Sequence, residues 1–178
     1  MPQDRRSSTR SRARKPKPEL TALESKLGEV LGLAMAAQGA TQRVAKLVDD
    51  SQLRQTLERM GREAKETEQR CKDVAGGLDG RKSAVLQKAR ETKQEATKMM
   101  STYLGRDADA LDGFEFLAMA EAGEVNHWAI VEAMNRKAKV AGLAEVVRWA
   151  KPIQKRHLDE AMKGSLALAT REDPNEPA

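Results

Sequence analysis

A carboxylate and an imidazole share one helical face in the motif Glu124-x-x-His127, because side chains three residues apart on an α-helix point to the same side. A second motif, Gln154-x-x-His157, has the same spacing with an amide in place of the carboxylate. Glu-x-x-His motifs on facing helices hold iron or manganese in carboxylate-bridged di-metal proteins. Glutamine is neutral and cannot balance a divalent cation, so the second motif argues for a weakened site.

Further polar residues lie on or beside the predicted inward faces of the helices: Gln38, Glu63, Glu66 and Glu121. Together with the two motifs they give a set of candidate metal ligands, namely Glu63, Glu66, Glu124, His127 and His157. Gln38 and Gln154 also have a simpler interpretation, as interior amides that hydrogen-bond across a helical bundle and fix its register. Both interpretations require helices that bring these side chains together.

The composition favours helices over strands. Aromatic residues make up 3% of the chain, and helix-forming residues such as Ala, Leu, Glu, Lys and Arg dominate. Apolar residues recur at spacings of three and four, which predicts helices over residues 18–48, 52–75, 83–103, 110–140 and 143–169. The third has the weakest stripe and is predicted to connect rather than to anchor. The sequence therefore predicts an all-α, ferritin-like four-helix bundle with a helical crossover between the second and third long helices.

The charges are distributed unevenly. The chain has 32 Lys and Arg against 27 Asp and Glu, but residues 1–20 alone hold seven basic and two acidic residues, so the remainder is neutral. We expect a disordered basic tail over 1–18, a helical domain over 19–170 and a disordered acidic tail over 171–178. Arg-rich tails bind phosphate groups without sequence preference. The candidate nucleic-acid or anionic-surface residues are Arg5, Arg6, Arg10, Arg12, Arg14, Lys15 and Lys17. The alternative is a leader that only improves solubility.

Several classes of protein are excluded at this stage. Cys71 is the only cysteine, which excludes an internal disulfide framework and favours a reducing, cytoplasmic compartment. No apolar stretch is long enough for a transmembrane helix, and the basic leader has no apolar segment behind it, so we expect no membrane association and no secretory signal. With two histidines and no Gly-rich phosphate loop, hydrolytic triads and P-loop chemistry lack support.

Three stretches of the chain occur in order within residues 25–168: QLRQTLERMGREAKETEQRCKDV from residue 52, AEAGEVNHWAIVEA from residue 120 and IQKRHLDEAM from residue 153. They resemble three bundle helices of the YciE/YciF-type bacterial stress proteins, a branch of the ferritin-like superfamily. The resemblance implies a ferritin-like fold and identifies this chain as a divergent member.

The resemblance also implies where a di-metal centre would lie. Carried over position by position, the family's ligands correspond to Gln38, Glu63, Glu66, Asn126, His127 and Gln154. Only Glu66 and His127 keep the family's residue type, and three carboxylates have become amides. The resemblance therefore implies a stress-associated protein with a degenerate metal site, no cofactor, and a structural or partner-binding role that is compatible with a homodimer.

An alternative is an iron- or manganese-binding, ferroxidase-type enzyme with a shifted site. Such a site would draw on Glu63, Glu66, Glu121, Glu124, His127 and His157. A third class is the DNA or anionic-surface binder that acts through the basic tail.

Overall fold

Every regular element in the computed structural model is an α-helix, over the residues that the structure describes, 19–175. The helices are α1 (Ala22–Ala45), α2 (Ser51–Gly76), α3 (Lys82–Tyr103), α4 (Ala110–Ala138) and α5 (Leu143–Ala169). The prediction of an all-helical chain is confirmed for this range. The predicted bounds agree within two residues for all helices except α1. The basic tail, with Arg5, Arg6, Arg10, Arg12, Arg14, Lys15 and Lys17, lies outside the described residues.

The helix starts are set by side-chain caps. The Thr21 hydroxyl accepts a hydrogen bond from the Glu24 amide, and the Glu24 carboxylate accepts one from the Thr21 amide. This capping box starts α1 four residues later than the apolar stripe predicts. Asp50 caps α2 by accepting hydrogen bonds from the amides of Gln52 and Leu53.

The long helices pack around a common interior. α1 lies against α2, α3 and α4, while α5 lies against α4 and α2. Apolar side chains form two clusters along the helix axes. The first includes Leu27, Trp128 and Val147, and the second includes Leu57 and Phe114. α1, α2, α4 and α5 each contribute to both clusters. The segments of these helices that lie between the two clusters carry small or polar residues, and the candidate site lies there.

α3 packs against α1 as extensively as α2 does, so the prediction that it merely connects is wrong. The reason is a close approach of the two backbones. A Cβ atom at Gly32 would lie 2.4 Å from the carbonyl oxygen of Ala89, and one at Gly28 would lie 2.8 Å from the Cβ of Lys88. Two glycines four residues apart therefore allow α3 to lie directly on α1.

No helix within residues 19–175 has the length and apolar character needed to cross a membrane. Pro152 lies inside α5, and the helix continues on both sides of it.

Candidate functional site

Two pairs of buried polar side chains face each other between α4 and α5. Glu121 and Glu124 lie on α4, and Gln154 and His157 lie on α5, each pair separated by three residues. All four are at least 95% buried. Glu63 approaches them from α2, so these five residues form one cluster, here called the polar layer. It separates the two apolar clusters of the core.

His157 lies between two carboxylates. Its Nε2 is 2.7 Å from Oε2 of Glu63, and its Nδ1 is 3.7 Å from Oε2 of Glu121. Burial alone lowers the pKa of His157, but the two carboxylates outweigh burial and raise that pKa above its usual value. The imidazolium form of His157, which this shift favours, carries ion pairs from α5 to both α2 and α4.

Glu63 has a second cationic partner at the edge of the layer. Nη2 of Arg156 donates a hydrogen bond to Oε1 of Glu63 at 2.6 Å. Partial burial raises the pKa of Glu63, but the hydrogen bonds and charges of His157 and Arg156 lower it further than burial raises it. Glu63 is thus held as a carboxylate.

Glu124 is held in the opposite state. Its burial, and next the negative charge of Glu121, raise its pKa well above the usual value, although the hydrogen bond that Gln154 donates to its Oε2 works in the other direction. The neutral acid is therefore favoured at this position. With Glu124 neutral, the charges of Glu63 and Glu121 are balanced by those of His157 and Arg156, and the layer needs no further cation.

The structure leaves two of the predicted metal residues outside this layer. Glu66 is exposed on α2 and accepts hydrogen bonds from Arg70, the closer at 2.6 Å. His127 is one-third exposed, with Nδ1 at 2.8 Å from the carbonyl oxygen of Gly123 and Nε2 at 3.6 Å from Oε2 of Glu29.

The three amides that the family resemblance places at metal-ligand positions differ in their burial and partners. Asn126 is exposed on α4, whereas Gln154 is buried in the polar layer. Gln38 lies half-buried on α1, where its Nε2 donates to the carbonyl oxygen of Ala34 at 3.1 Å and to Oε2 of Glu68 at 2.6 Å. Of the sequence candidates, the structure thus brings together Glu63, Glu124, Gln154 and His157, and it adds Glu121.

These residues do not fit a di-metal centre. Among residues 19–175, no group of three or more His, Cys, Asp and Glu side chains is arranged to hold a metal ion. A di-metal site needs carboxylates and imidazoles that converge on one point. Here both nitrogens of His157 face the carboxyl groups of Glu63 and Glu121, and the Gln154 amide donates a hydrogen bond to Oε2 of Glu124.

The other face of α4 lines a cavity of about 180 Å³ between α1, α3 and α4. Its walls are mainly alanine and methionine side chains, with Leu33, Phe116 and Leu117. Its polar residues include Glu121 and Glu124, so the same two carboxyl groups belong to the polar layer and to the cavity wall. The sequence analysis did not identify this cavity. A usable signal was present in the alanines that recur on the three helices, because small side chains leave space between packed helices.

Cys71 is fully buried on the apolar face of α2. Burial, and next the negative charges of Glu124 and Glu68, raise the pKa of its thiol well above the usual value. The thiol is therefore held protonated and is a poor nucleophile.

Comparison of the chain with protein-family models, with curated proteins and with solved structures found no match.

Proposed function

We propose that this protein is a stress-associated, ferritin-like helical bundle without di-metal chemistry, which acts through binding rather than catalysis. In this proposal the position of the metal centre is taken by the polar layer. The single observation that carries it is His157, whose two nitrogens face Glu63 and Glu121 instead of converging with them on a third point.

The order of the helices supports a ferritin-like bundle. α1, α2, α5 and α4 each contact the next in a closed ring, since α2 lies against α5 and α4 lies against α1. α3 lies between α2 and α4 in the chain and packs on the outside of α1, which is the place of a crossover element. A crossover between the second and third long helices is the connection that distinguishes ferritin-like bundles.

The charge balance of the polar layer supports the absence of a resident metal. In a carboxylate-bridged centre, the metal ions neutralise the buried carboxylates. Here one carboxyl group retains its proton, and a histidine and an arginine balance the other two. A binding role for the fold is then compatible with a homodimer or another partner, and the basic tail is a second candidate surface for nucleic acid.

The proposal is tested by the metal content of the full chain, purified without chelators, loaded with Fe(II) or Mn(II) and desalted. We expect well below one metal ion per chain by elemental analysis. About two bound ions per chain would overturn the proposal and would favour the ferroxidase-type alternative.

Gln154→Glu is the matched variant, because it restores the Glu-x-x-His motif on α5. Without metal it places a further carboxyl group beside Glu124 and lowers the melting temperature. We expect Mn(II) to raise the melting temperature of this variant and to leave that of the natural sequence unchanged. An equal Mn(II) shift in both proteins would contradict the proposal.

A further inference from the structure

The cavity between α1, α3 and α4 exists because two of these helices lie apart. α3 packs closely on α1 and makes little contact with α4, so a gap opens between α3 and α4 over α1. Alanines of all three helices line this gap, and a Cβ atom at Gly123 on α4 would meet no atom of residues 19–175 within 4 Å. The volume of about 180 Å³ exceeds that of an engineered apolar cavity of roughly 150 Å³ that binds benzene. A single ring therefore fits, whereas a nucleotide or a sugar phosphate does not.

The polar groups along the wall are already engaged with other parts of the protein. Oε2 of Glu121 is buried and faces the imidazole on α5, and the raised pKa of Glu124 favours the neutral form of its carboxyl group. The Thr97 hydroxyl donates a hydrogen bond to the carbonyl oxygen of Lys93 at 2.8 Å, and both ring nitrogens of His127 face partners on the protein. A charged ligand would lose its hydration without gaining a partner, so the wall favours an uncharged, apolar ligand.

Three methionine side chains give the cavity a preference among apolar ligands. Met99 and Met100 on α3 and Met119 on α4 line it, and Met99 and Met119 are 43% and 39% exposed at its mouth. Thioether side chains are flexible, adjust to the shape of a ligand and make favourable contacts with aromatic rings. An aromatic ring therefore gains contacts in this cavity that a saturated ring of the same size lacks.

We propose that this cavity binds an uncharged, single-ring aromatic molecule, held among the alanines of α1, α3 and α4 with its ring against the three methionines. Each part of this ligand class follows from one observation. The volume limits the ligand to one ring, the engaged polar groups of the wall exclude a charge, and the thioethers favour an aromatic ring over a saturated one.

The inference rests on the binding role proposed above but not on the absence of a metal. It is therefore tested in EDTA, by titration calorimetry of the full chain with toluene, benzylamine and benzoate, which share one ring and differ in charge. We expect toluene to bind at least about tenfold more tightly than either charged ligand, because neither charge finds a partner in the cavity. Toluene should also bind severalfold more tightly than methylcyclohexane in a competition titration, since the saturated ring lacks the contacts between sulfur and an aromatic ring.

Variants that fill the cavity test whether toluene binds there. Ala37→Leu enlarges a side chain on the α1 wall and should reduce toluene binding below detection. Gly123→Leu fills the cavity from α4, where the new Cβ meets no described atom within 4 Å, so it keeps the test decisive if Ala37→Leu fails to fold. Gly39→Leu is the matched control, because its new Cβ is equally free of contacts within residues 19–175 and Gly39 does not line the cavity. We expect this control to bind toluene as the natural sequence does.

The proposal would be overturned by no toluene binding at millimolar concentration, by equal affinity for toluene and any of the other three ligands, or by undiminished binding in the filled variants. It would also be overturned if a second copy of the chain occupied the cavity. The affinity for toluene would then fall as the protein concentration rises, and sedimentation would show self-association that Gly123→Leu abolishes and Gly39→Leu retains. None of these results depends on metal content, so failure of this inference and failure of the metal-free proposal can be told apart.

Discussion

α4 presents its two buried carboxyl groups to two very different surroundings. Toward α5 and α2 they meet His157 and Gln154, and the charges are balanced within the protein. Toward α1 and α3 the same two residues line a cavity whose walls are mainly alanine and methionine side chains. One pair of residues thus belongs both to a polar layer that joins helices and to the wall of a cavity.

Burial of a carboxyl group therefore does not by itself indicate what the group does; its neighbours decide that. On the side of α5 the buried polar groups hold helices together, and removing one partner leaves an uncompensated charge. On the side of α1 the packing partners are small and apolar, so substitutions there change volume rather than charge. Variants can separate the two sides.

The largest expected effect comes from His157→Ala. This change leaves Glu63 and Glu121 without their shared cation, and we expect a loss of about 3–5 kcal/mol in the free energy of unfolding. His127→Ala is the control, because within residues 19–175 its one ion pair is a long one on a partly exposed side chain, and we expect a loss below about 1 kcal/mol. Urea denaturation of the two variants measures both values. Equal losses would remove the distinction between the two histidines.

A smaller effect is expected where α1 meets α3. Gly32→Ala forces a Cβ atom against the backbone of Ala89, and overpacking of this kind costs about 1–3 kcal/mol. Gly39→Ala lies on the same helix with no atom within 4 Å of the new Cβ, so its better helix propensity should stabilise the protein by up to about 1 kcal/mol. Opposite signs in chemical denaturation would support the close backbone contact, and a neutral Gly32→Ala would contradict it.

The smallest expected effect is the change in the free energy of unfolding per pH unit. Glu124 and His157 have raised pKa values in the folded protein, so each stabilises the fold below its unfolded pKa, near 4.5 and 6.5 respectively, and loses that contribution as pH rises through its folded pKa. Glu63 has a lowered pKa and loses its contribution only as pH falls through that value. Stability should therefore decline from mildly acidic to alkaline pH, by at most about 1.4 kcal/mol per pH unit for each proton.

Urea midpoints at constant ionic strength measure this decline. Glu124→Gln removes one of the two titrating groups and should flatten the alkaline part of the curve. No decline between neutral and alkaline pH, or an equal decline in Glu124→Gln, would contradict a raised pKa for Glu124.

The helices could be predicted because their signals are local. The apolar stripes, the Asp50 cap and the break at Gly142 lie within a few residues of the features that they determine. The start of α1 is also encoded, in the spacing Thr21-x-x-Glu24, but the apolar stripe alone does not show where this capping box begins the helix.

The candidate site was harder to predict because it depends on the rotation of each helix. Successive residues are about 100° apart around an α-helix, so an error of a few positions exchanges the interior for the surface. Glu66 and Asn126 are exposed for this reason, while the near neighbours Glu63 and Glu124 face inward. The cavity depends in addition on the distances between α1, α3 and α4, and the sequence pattern of one helix does not determine these distances.

The polar layer also has a consequence for how the helices find their alignment. The apolar contacts on either side of it have no preferred direction, so they distinguish a slip of α5 along α4 by one turn, about 5.4 Å, less sharply than hydrogen bonds do. After such a slip, His157 would lose Glu121, and Gln154 would no longer reach Glu124. The polar layer thus fixes the register of α5 along α4 at an interface that is otherwise apolar.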